Sequence, residues 1–325
     1  MKIFFLGAYK HPGGPNEVNR NLLAAIRNEV FYILSANKYL VRLEVLFKIL
    51  SSRLIICSGL FFKNYELLLM RICHKKIIYI MHGCALKETG VNVKSEDEII
   101  KYSDLILCVS NIYKEQIASQ LFPKEAYKMQ VLHNAINWNE YTNLPNSSIN
   151  QNRIILMGGG RLLKRNLQIC QAVNELNIEF GTNYFVDVYG YYRENDDSRL
   201  ISQVPNVTFH NVIPHNELLL ELTKSRLFVQ NSEFESFGLG VIDALSCGCD
   251  ILISKYVGAI EIISGLVESD IINNPFDVQE IKNKLILVLG EGNNKRLFSS
   301  IDKQATSGIR LGKDLISYAN QILRK

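Results

Sequence analysis

Two acidic residues eight positions apart, Glu235 and Asp243, bracket a turn, Phe237-Gly238-Leu239-Gly240, that follows an apolar run and opens a helical pattern. Glycines at such a turn let the backbone approach a ligand, and the amides at the following helix N-terminus attract an anion. Two carboxylates bracketing the turn would point toward one cleft. On the residues alone, the segment is equally a glycine-rich loop with two solvated acids.

A second segment reads Met157-Gly158-Gly159-Gly160-Arg161-Leu162-Leu163-Lys164-Arg165-Asn166. Cations beside a flexible turn suit a diphosphate, because they neutralise the charge that develops as it leaves. A basic turn facing solvent fits the same residues. The glycines do not make a Gly-x-Gly-x-x-Gly dinucleotide turn, since Leu163 stands where the last glycine belongs.

Two weaker signals lie earlier in the chain. Lys10-His11-Pro12-Gly13-Gly14-Pro15-Asn16-Glu17 connects a first strand to a first helix and is, by itself, an ordinary turn. His82 ends the run Tyr79-Ile80-Met81, and strand ends are where open α/β sheets meet their ligands. A lone histidine is more commonly structural. His74, His210 and His215 lack that placement, and His11 and His133 have it only weakly.

These residues need a scaffold of alternating strands and helices, and the apolar runs supply one. The first series of strands is expected at Ile3–Leu6, Leu54–Cys57, Ile77–Met81, Leu105–Val109 and Met129–Leu132. The second is expected at Arg153–Met157, Tyr184–Val188, Val207–Phe209, Leu227–Gln230 and Ile251–Ile253. Helical patterns intervene, among them Glu17–Arg27 after an Asn16 cap, Ile112–Gln120, Leu167–Leu176, Asn216–Leu222 and Val241–Cys247. Such alternation predicts doubly wound parallel sheets of the α/β class. The polar stretch Asn139–Asn152 is the linker candidate. The expected domains are 1–145 and 146–310, with Leu311–Leu323 in a closing helix over 311–325.

A chain of 325 residues is too long for one comfortable core, which agrees with two domains. Its 47% apolar and 21% charged residues are those of a soluble globular protein. The seven cysteines are scattered with no zinc-site spacing, and read as free thiols of a reducing compartment. No signal peptide or membrane span is expected, since the tract 39–62 is interrupted by Arg42, Glu44, Lys48 and Arg53. Residues 1–150 hold 18 Lys and Arg against 12 Asp and Glu, and the whole excess lies in residues 37–78. There the basic residues interleave with Leu, Val, Ile and Phe, as in basic amphipathic helices. A solvated helix face accounts for that pattern; so does peripheral contact with an anionic membrane. No nucleic-acid-binding motif accompanies the charge.

Taken in order, the motifs resemble glycosyltransferase family 4. Glu235-Ser-Phe-Gly-Leu-Gly-Val-Ile-Asp243-Ala-Leu is similar to that family's Glu-x7-Glu hallmark, with Asp in place of the second Glu. Gly160-Arg161-Leu162 and Lys164, with Ala172 eight residues on, match its Gly-Arg-Leu and Lys segment, with a shortened loop. Gly13 and Gly14 match its glycine loop and His82 its strand-end histidine. Asn134-Ala135-Ile136-Asn137 resembles its Asn-Gly-Ile/Val-Asp turn in weakened form.

The resemblance implies a GT-B architecture: two Rossmann-like domains facing across a cleft, the N-terminal one on the acceptor side and the C-terminal one binding a nucleotide-sugar. It further implies a retaining transfer of a hexosyl unit, from a UDP-sugar by the commonest family choice, to a hydroxyl of a glycan or lipid-linked oligosaccharide. Glu235 and His82 would orient the sugar, Arg161 and Lys164 the diphosphate with Arg165 as a substitute, and Asp243 the ribose. Gly13, Gly14, Phe237, Gly238 and Leu239 would complete the donor site. No cofactor or metal is expected, because Asp-x-Asp is missing and the cations would do a metal's electrostatic work. Assembly of bacterial surface polysaccharide, such as lipopolysaccharide or O-antigen, at the cytoplasmic face of the inner membrane follows as the expected setting. The competing readings are a nucleotide-sugar 2-epimerase on the same fold and a non-catalytic partner of a polysaccharide assembly complex.

Overall fold

The computed structural model of the protein describes residues 3–10, 13–35, 37–145 and 147–324. His11 and Pro12 of the glycine loop, and Asn146 of the linker stretch, lie outside the described residues. The chain divides into two units, Met1–Trp138 with Lys303–Lys325, and Asn139–Asp302.

The first unit holds a parallel sheet of β1 (Ile3–Gly7), β2 (Leu54–Ser58), β3 (Lys76–Met81), β4 (Leu105–Cys108) and β5 (Met129–Val131), hydrogen-bonded in that order. Its inner strands are continuous apolar runs because parallel strands are buried on both faces. Phe31 adds a parallel bridge on the other side of β1, exchanging hydrogen bonds of 2.8 Å with Phe5 and Ile3. The chain therefore leaves β1 to one side and returns to the other, which puts a topological reversal between β1 and β2.

Helix Gly14–Ile26 begins three residues before the expected start, and Asn16 is inside it instead of capping it. Gly13, at φ +131°, turns the chain into the helix, and Pro15 is tolerated in the first turn, where its missing N–H has no helical partner anyway. Helix Gly308–Arg324 packs back on Gly14–Ile26, with Gly312 close against Ile26 and Ala25. The basic region forms helices Lys38–Ser51 and Asn64–Ile72. Among the described residues, no helix is long and apolar enough to cross a membrane.

The second unit holds a six-stranded parallel sheet: β6 (Asn150–Met157), β7 (Phe185–Tyr189), β8 (Val207–His210), β9 (Ser225–Gln230), β10 (Asp250–Ser254) and β11 (Ile271–Ile272). Their order is β11-β10-β9-β6-β7-β8. The first three strands step one way from β6 and the last three step the other, so the reversal falls between β6 and β9. Helices Asn166–Phe180 and Val278–Glu291 close one face over a core that includes Ile154, Leu156, Ile169, Val188, Val229 and Leu285.

Candidate active site

In a doubly wound sheet the ligand crevice opens at the carboxyl ends of the strands that flank the reversal. In the second unit those ends are Met157 of β6 and Gln230 of β9. The two segments singled out in the sequence are the loops that leave them.

Gly158 and Gly159, at φ +97° and +62°, make a turn that L side chains rarely adopt, and both amides bond to the Tyr189 carbonyl. A β-carbon on Gly158 would lie 2.9 Å from Lys164 Cγ and 3.2 Å from Arg161 Nη2, so both cations converge over this glycine. Arg161 Nε also donates to the Gly158 carbonyl at 3.3 Å and its side chain is exposed. Across the crevice, Lys164 Nζ forms a close, mostly buried ion pair with Glu235 Oε2. The same carboxylate oxygen accepts from Gln230 Nε2 at 3.2 Å, and Gln230 in turn donates to Ser232 Oγ at 2.7 Å. Gly238, at φ +95°, starts helix Leu239–Ser246 and packs against Val257 and the Glu235 side chain.

The remaining expected donor residues stand differently. Arg165 does not join the Lys164 cluster; its guanidinium pairs with Glu233 at 2.8 Å and lies over the Phe276 ring at 4.2 Å. Phe237 is 1% exposed, so its ring belongs to the core. Leu239 is partly exposed at the helix start. Asp243 is buried on the same helix, accepting from the Tyr141 hydroxyl at 2.7 Å and meeting His215 Nε2 at 3.1 Å. Neither Tyr141 nor His215 stands out in the sequence, because their partners are distant in it.

In the first unit, β1 and β2 end at Gly7 and Ser58, and His82 follows β3 beside them. Ser58 Oγ donates to Asn19 Oδ1 at 2.6 Å, and Asn19 Nδ2 donates to the Ala8 carbonyl at 2.8 Å. With its own proton committed to Asn19, Ser58 Oγ is an acceptor for a hydrogen bond from His82 Nε2 at 2.8 Å. Burial lowers the His82 pKa to about 4, against a smaller opposing effect of Asn134, so the ring is neutral at physiological pH. Gly13 and Gly14 open the first helix of this unit. Asn19 and Ser58 escape sequence reading because nothing local marks a buried polar pair.

Among the described residues no group of three or more His, Cys, Asp or Glu side chains is placed to hold a metal ion. The seven cysteines are free thiols.

Residues 143–304 match the family model described as glycosyl transferases group 1. The whole chain is similar in fold to HepE from Anabaena, solved with UDP and glucose, at 14% identity and a TM-score of 0.69, covering 99% of this chain and 100% of that one. It is likewise similar to the lipopolysaccharide outer core galactosyltransferase WaaB in its apo form, at 16% identity, a TM-score of 0.67 and 99% of each chain. Sucrose-phosphate synthase from Thermosynechococcus elongatus gives 15% identity, a TM-score of 0.66 and 99% of each chain. No curated protein matches the sequence. At these identities the likeness is one of fold, the GT-B fold. Together with the family match over the half of the chain that carries the paired loops, it assigns the protein: through residues 143–304, the chain belongs to the glycosyl transferases group 1.

Proposed function

We propose that the protein is a retaining, metal-independent glycosyltransferase that moves a hexosyl unit from a UDP-sugar to a hydroxyl of a glycan or lipid-linked oligosaccharide. The observation that carries this reading is the meeting of Lys164 and Glu235 over a glycine turn at the sheet reversal, with Arg161 beside them. Lys164 and Arg161 are fixed cations for a departing diphosphate, and preorganised charges of this kind stabilise the transition state without reorganising. When the diphosphate draws Lys164, Glu235 keeps its hydrogen bond from Gln230 and is left to accept from sugar hydroxyls. In the first unit, neutral His82 is the polar group offered at that unit's own reversal. UDP as the nucleotude carrier is supported by HepE, a protein of similar fold that was solved with UDP and glucose. WaaB, a lipopolysaccharide outer core galactosyltransferase, supports a surface-glycan acceptor.

Peripheral contact with an anionic membrane belongs to the same proposal. Leu43, Phe47 and Leu50 lie at helical spacing on Lys38–Ser51, and Leu68 and Ile72 on Asn64–Ile72, each at least half exposed. Lys75 ties the two helix ends together by donating to the Leu50 and Ser52 carbonyls. Exposed Arg53 and Lys63 add charge that an anionic surface attracts by about 1 kcal/mol per residue.

The test is incubation with a panel of UDP-, GDP- and ADP-sugars and glycan or lipid-linked acceptors, scoring nucleotide release together with a glycosylated product and its anomeric configuration by NMR. A product that retains the donor configuration, formed equally in EDTA, supports the reading. Nucleotide with an altered free sugar and no acceptor product would instead identify a 2-epimerase. A folded chain that binds no nucleotide would be a non-catalytic partner.

A further inference from the structure

We infer that Asp243 is a positioning residue, acting through His215 and Tyr141 to hold the segment entering the second unit against the donor-loop helix, and does not itself grip the ribose. This rests on the donor reading above and departs from the role that the resemblance implies for Asp243.

Asp243 lies on the second turn of helix Leu239–Ser246, and only 6% of the residue is exposed. Each of its oxygens already has a protein partner: Oδ1 accepts from Tyr141 Oη at 2.7 Å, and Oδ2 meets His215 Nε2 at 3.1 Å. The other ring nitrogen, Nδ1, meets Glu140 Oε1 at 3.2 Å. An imidazole that faces a carboxylate on each side donates from both nitrogens only as the imidazolium. Glu140 and Tyr141 belong to the short 3-10 turn Trp138–Tyr141, where the chain passes into the second unit. One buried aspartate thus clamps two residues of that turn, Tyr141 directly and Glu140 through His215.

The side-chain length agrees with this role. Asp is one methylene shorter than Glu, which keeps the carboxylate near the flank of its own helix, where His215 and Tyr141 stand. The charges around His215 are consistent as well. Asp243 on its helix and Glu140 on the turn both favour the imidazolium, while Tyr141 stays protonated, its pKa raised by burial first and then by Asp243. Cys247, on the same side of the helix, is pushed up to about 12 by burial and by Asp243, so it adds no charge at neutral pH.

The experiment compares UDP with 2′-deoxy-UDP and 3′-deoxy-UDP by calorimetry on the wild type, Asp243→Asn, His215→Gln and Tyr141→Phe, alongside transferase kcat between pH 6 and 10. A carboxylate that grips a ribose hydroxyl contributes about tenfold or more to affinity. For a positioning role, any preference of the wild type for UDP over the deoxy forms persists in all three variants. In addition, kcat falls in each variant with little change in affinity, and the wild-type decline in kcat as pH rises through about 9 is missing from His215→Gln. Equal affinities for the three nucleotides in the wild type also exclude a ribose grip. A preference that collapses in Asp243→Asn but survives in His215→Gln overturns the inference and leaves the donor reading standing. Absence of UDP binding to the folded wild type overturns the donor reading, and the inference with it. If Asp243→Asn does not fold, the His215→Gln and Tyr141→Phe comparisons decide, since a direct grip predicts that both leave kcat unchanged.

Discussion

Lys164 and Glu235 are 71 positions apart in the chain and meet as a mostly buried ion pair between the loops that leave β6 and β9. The pair holds the crevice in a charge-balanced state, with the cation neutralised by an acid that has a second partner in Gln230. On the proposed function, an incoming diphosphate competes with Glu235 for Lys164, which makes the acid both a sugar-side acceptor and a brake on nucleotide affinity.

Glu235→Gln therefore separates binding from turnover. With its negative charge removed, Lys164 is available to phosphate, so UDP should raise the unfolding temperature of Glu235→Gln more than that of the wild type. Transfer should nevertheless fall. Lys164→Ala should lose the UDP-induced shift and reduce kcat by about 10²- to 10³-fold, the usual consequence of deleting one preorganised charge. Thermal unfolding at saturating UDP and initial-rate assays check both. A Glu235→Gln protein that loses UDP binding together with activity would mean that the acid organises the loop and does not restrain Lys164.

Gly158 gives a second test because its two constraints can be separated. Gly158→Ala meets backbone strain at φ +97° and brings a β-carbon to 2.9 Å from Lys164 Cγ. Gly181, at φ +63° after helix Asn166–Phe180, has nothing within 4 Å of the corresponding position. Both alanine variants should lose about 1–2 kcal/mol in urea unfolding. Only Gly158→Ala should also weaken UDP binding, because only there does the new methyl displace a cation.

The sequence carries the architecture through its burial pattern: both series of parallel strands are apolar runs, since a sheet covered on two faces excludes polar side chains from its middle. The paired loops were legible for the same local reason, as Gly158, Arg161, Lys164, Glu235 and Gly238 are each close in sequence to a strand end. What sequence reading misses is set by long-range contacts. The bridge at Phe31 decides where the first sheet reverses, although one residue carries no strand signal. Arg165 resembles a phosphate ligand until Glu233 and Phe276 are brought to it. His215 looks like an ordinary helix-start residue until the fold sets it beside Asp243.

Stability should respond to pH in opposite directions at His82 and at the partly exposed His215. The folded pKa of His82 is lowered to about 4 from 6.5, so the unfolded chain binds more protons between these values. Its contribution is present above pH 6.5 and is lost as pH falls toward 4, at no more than about 1.4 kcal/mol per pH unit. For His215, raised to about 9 chiefly by its hydrogen bond to Asp243, the folded state binds the extra proton. Its contribution is present below pH 6.5 and is lost as pH rises through 9. Unfolding midpoints of the wild type, His82→Gln and His215→Gln from pH 4 to 10 check this. His82→Gln should flatten the acid limb alone and His215→Gln the alkaline limb alone.

The exposed apolar stripe gives the last prediction. Phe47 is 70% exposed and Leu43, one turn before it, 65%. Side chains this exposed contribute little to the core, so the double change Leu43→Asp/Phe47→Asp should leave the unfolding temperature and UDP binding close to wild type. If the stripe seats in a bilayer, the wild type should sediment with vesicles containing anionic phospholipid and far less with purely zwitterionic ones. Raising the salt should weaken that binding, because the Debye length shortens from about 10 Å at 0.1 M to about 3 Å at 1 M. The double variant should stay in the supernatant, because carboxylates at the centre of the stripe oppose both insertion and attraction to anionic headgroups. Equal sedimentation of wild type and variant would assign any binding to basic residues elsewhere. A wild type that ignores anionic vesicles would make Leu43 and Phe47 an ordinary solvated face.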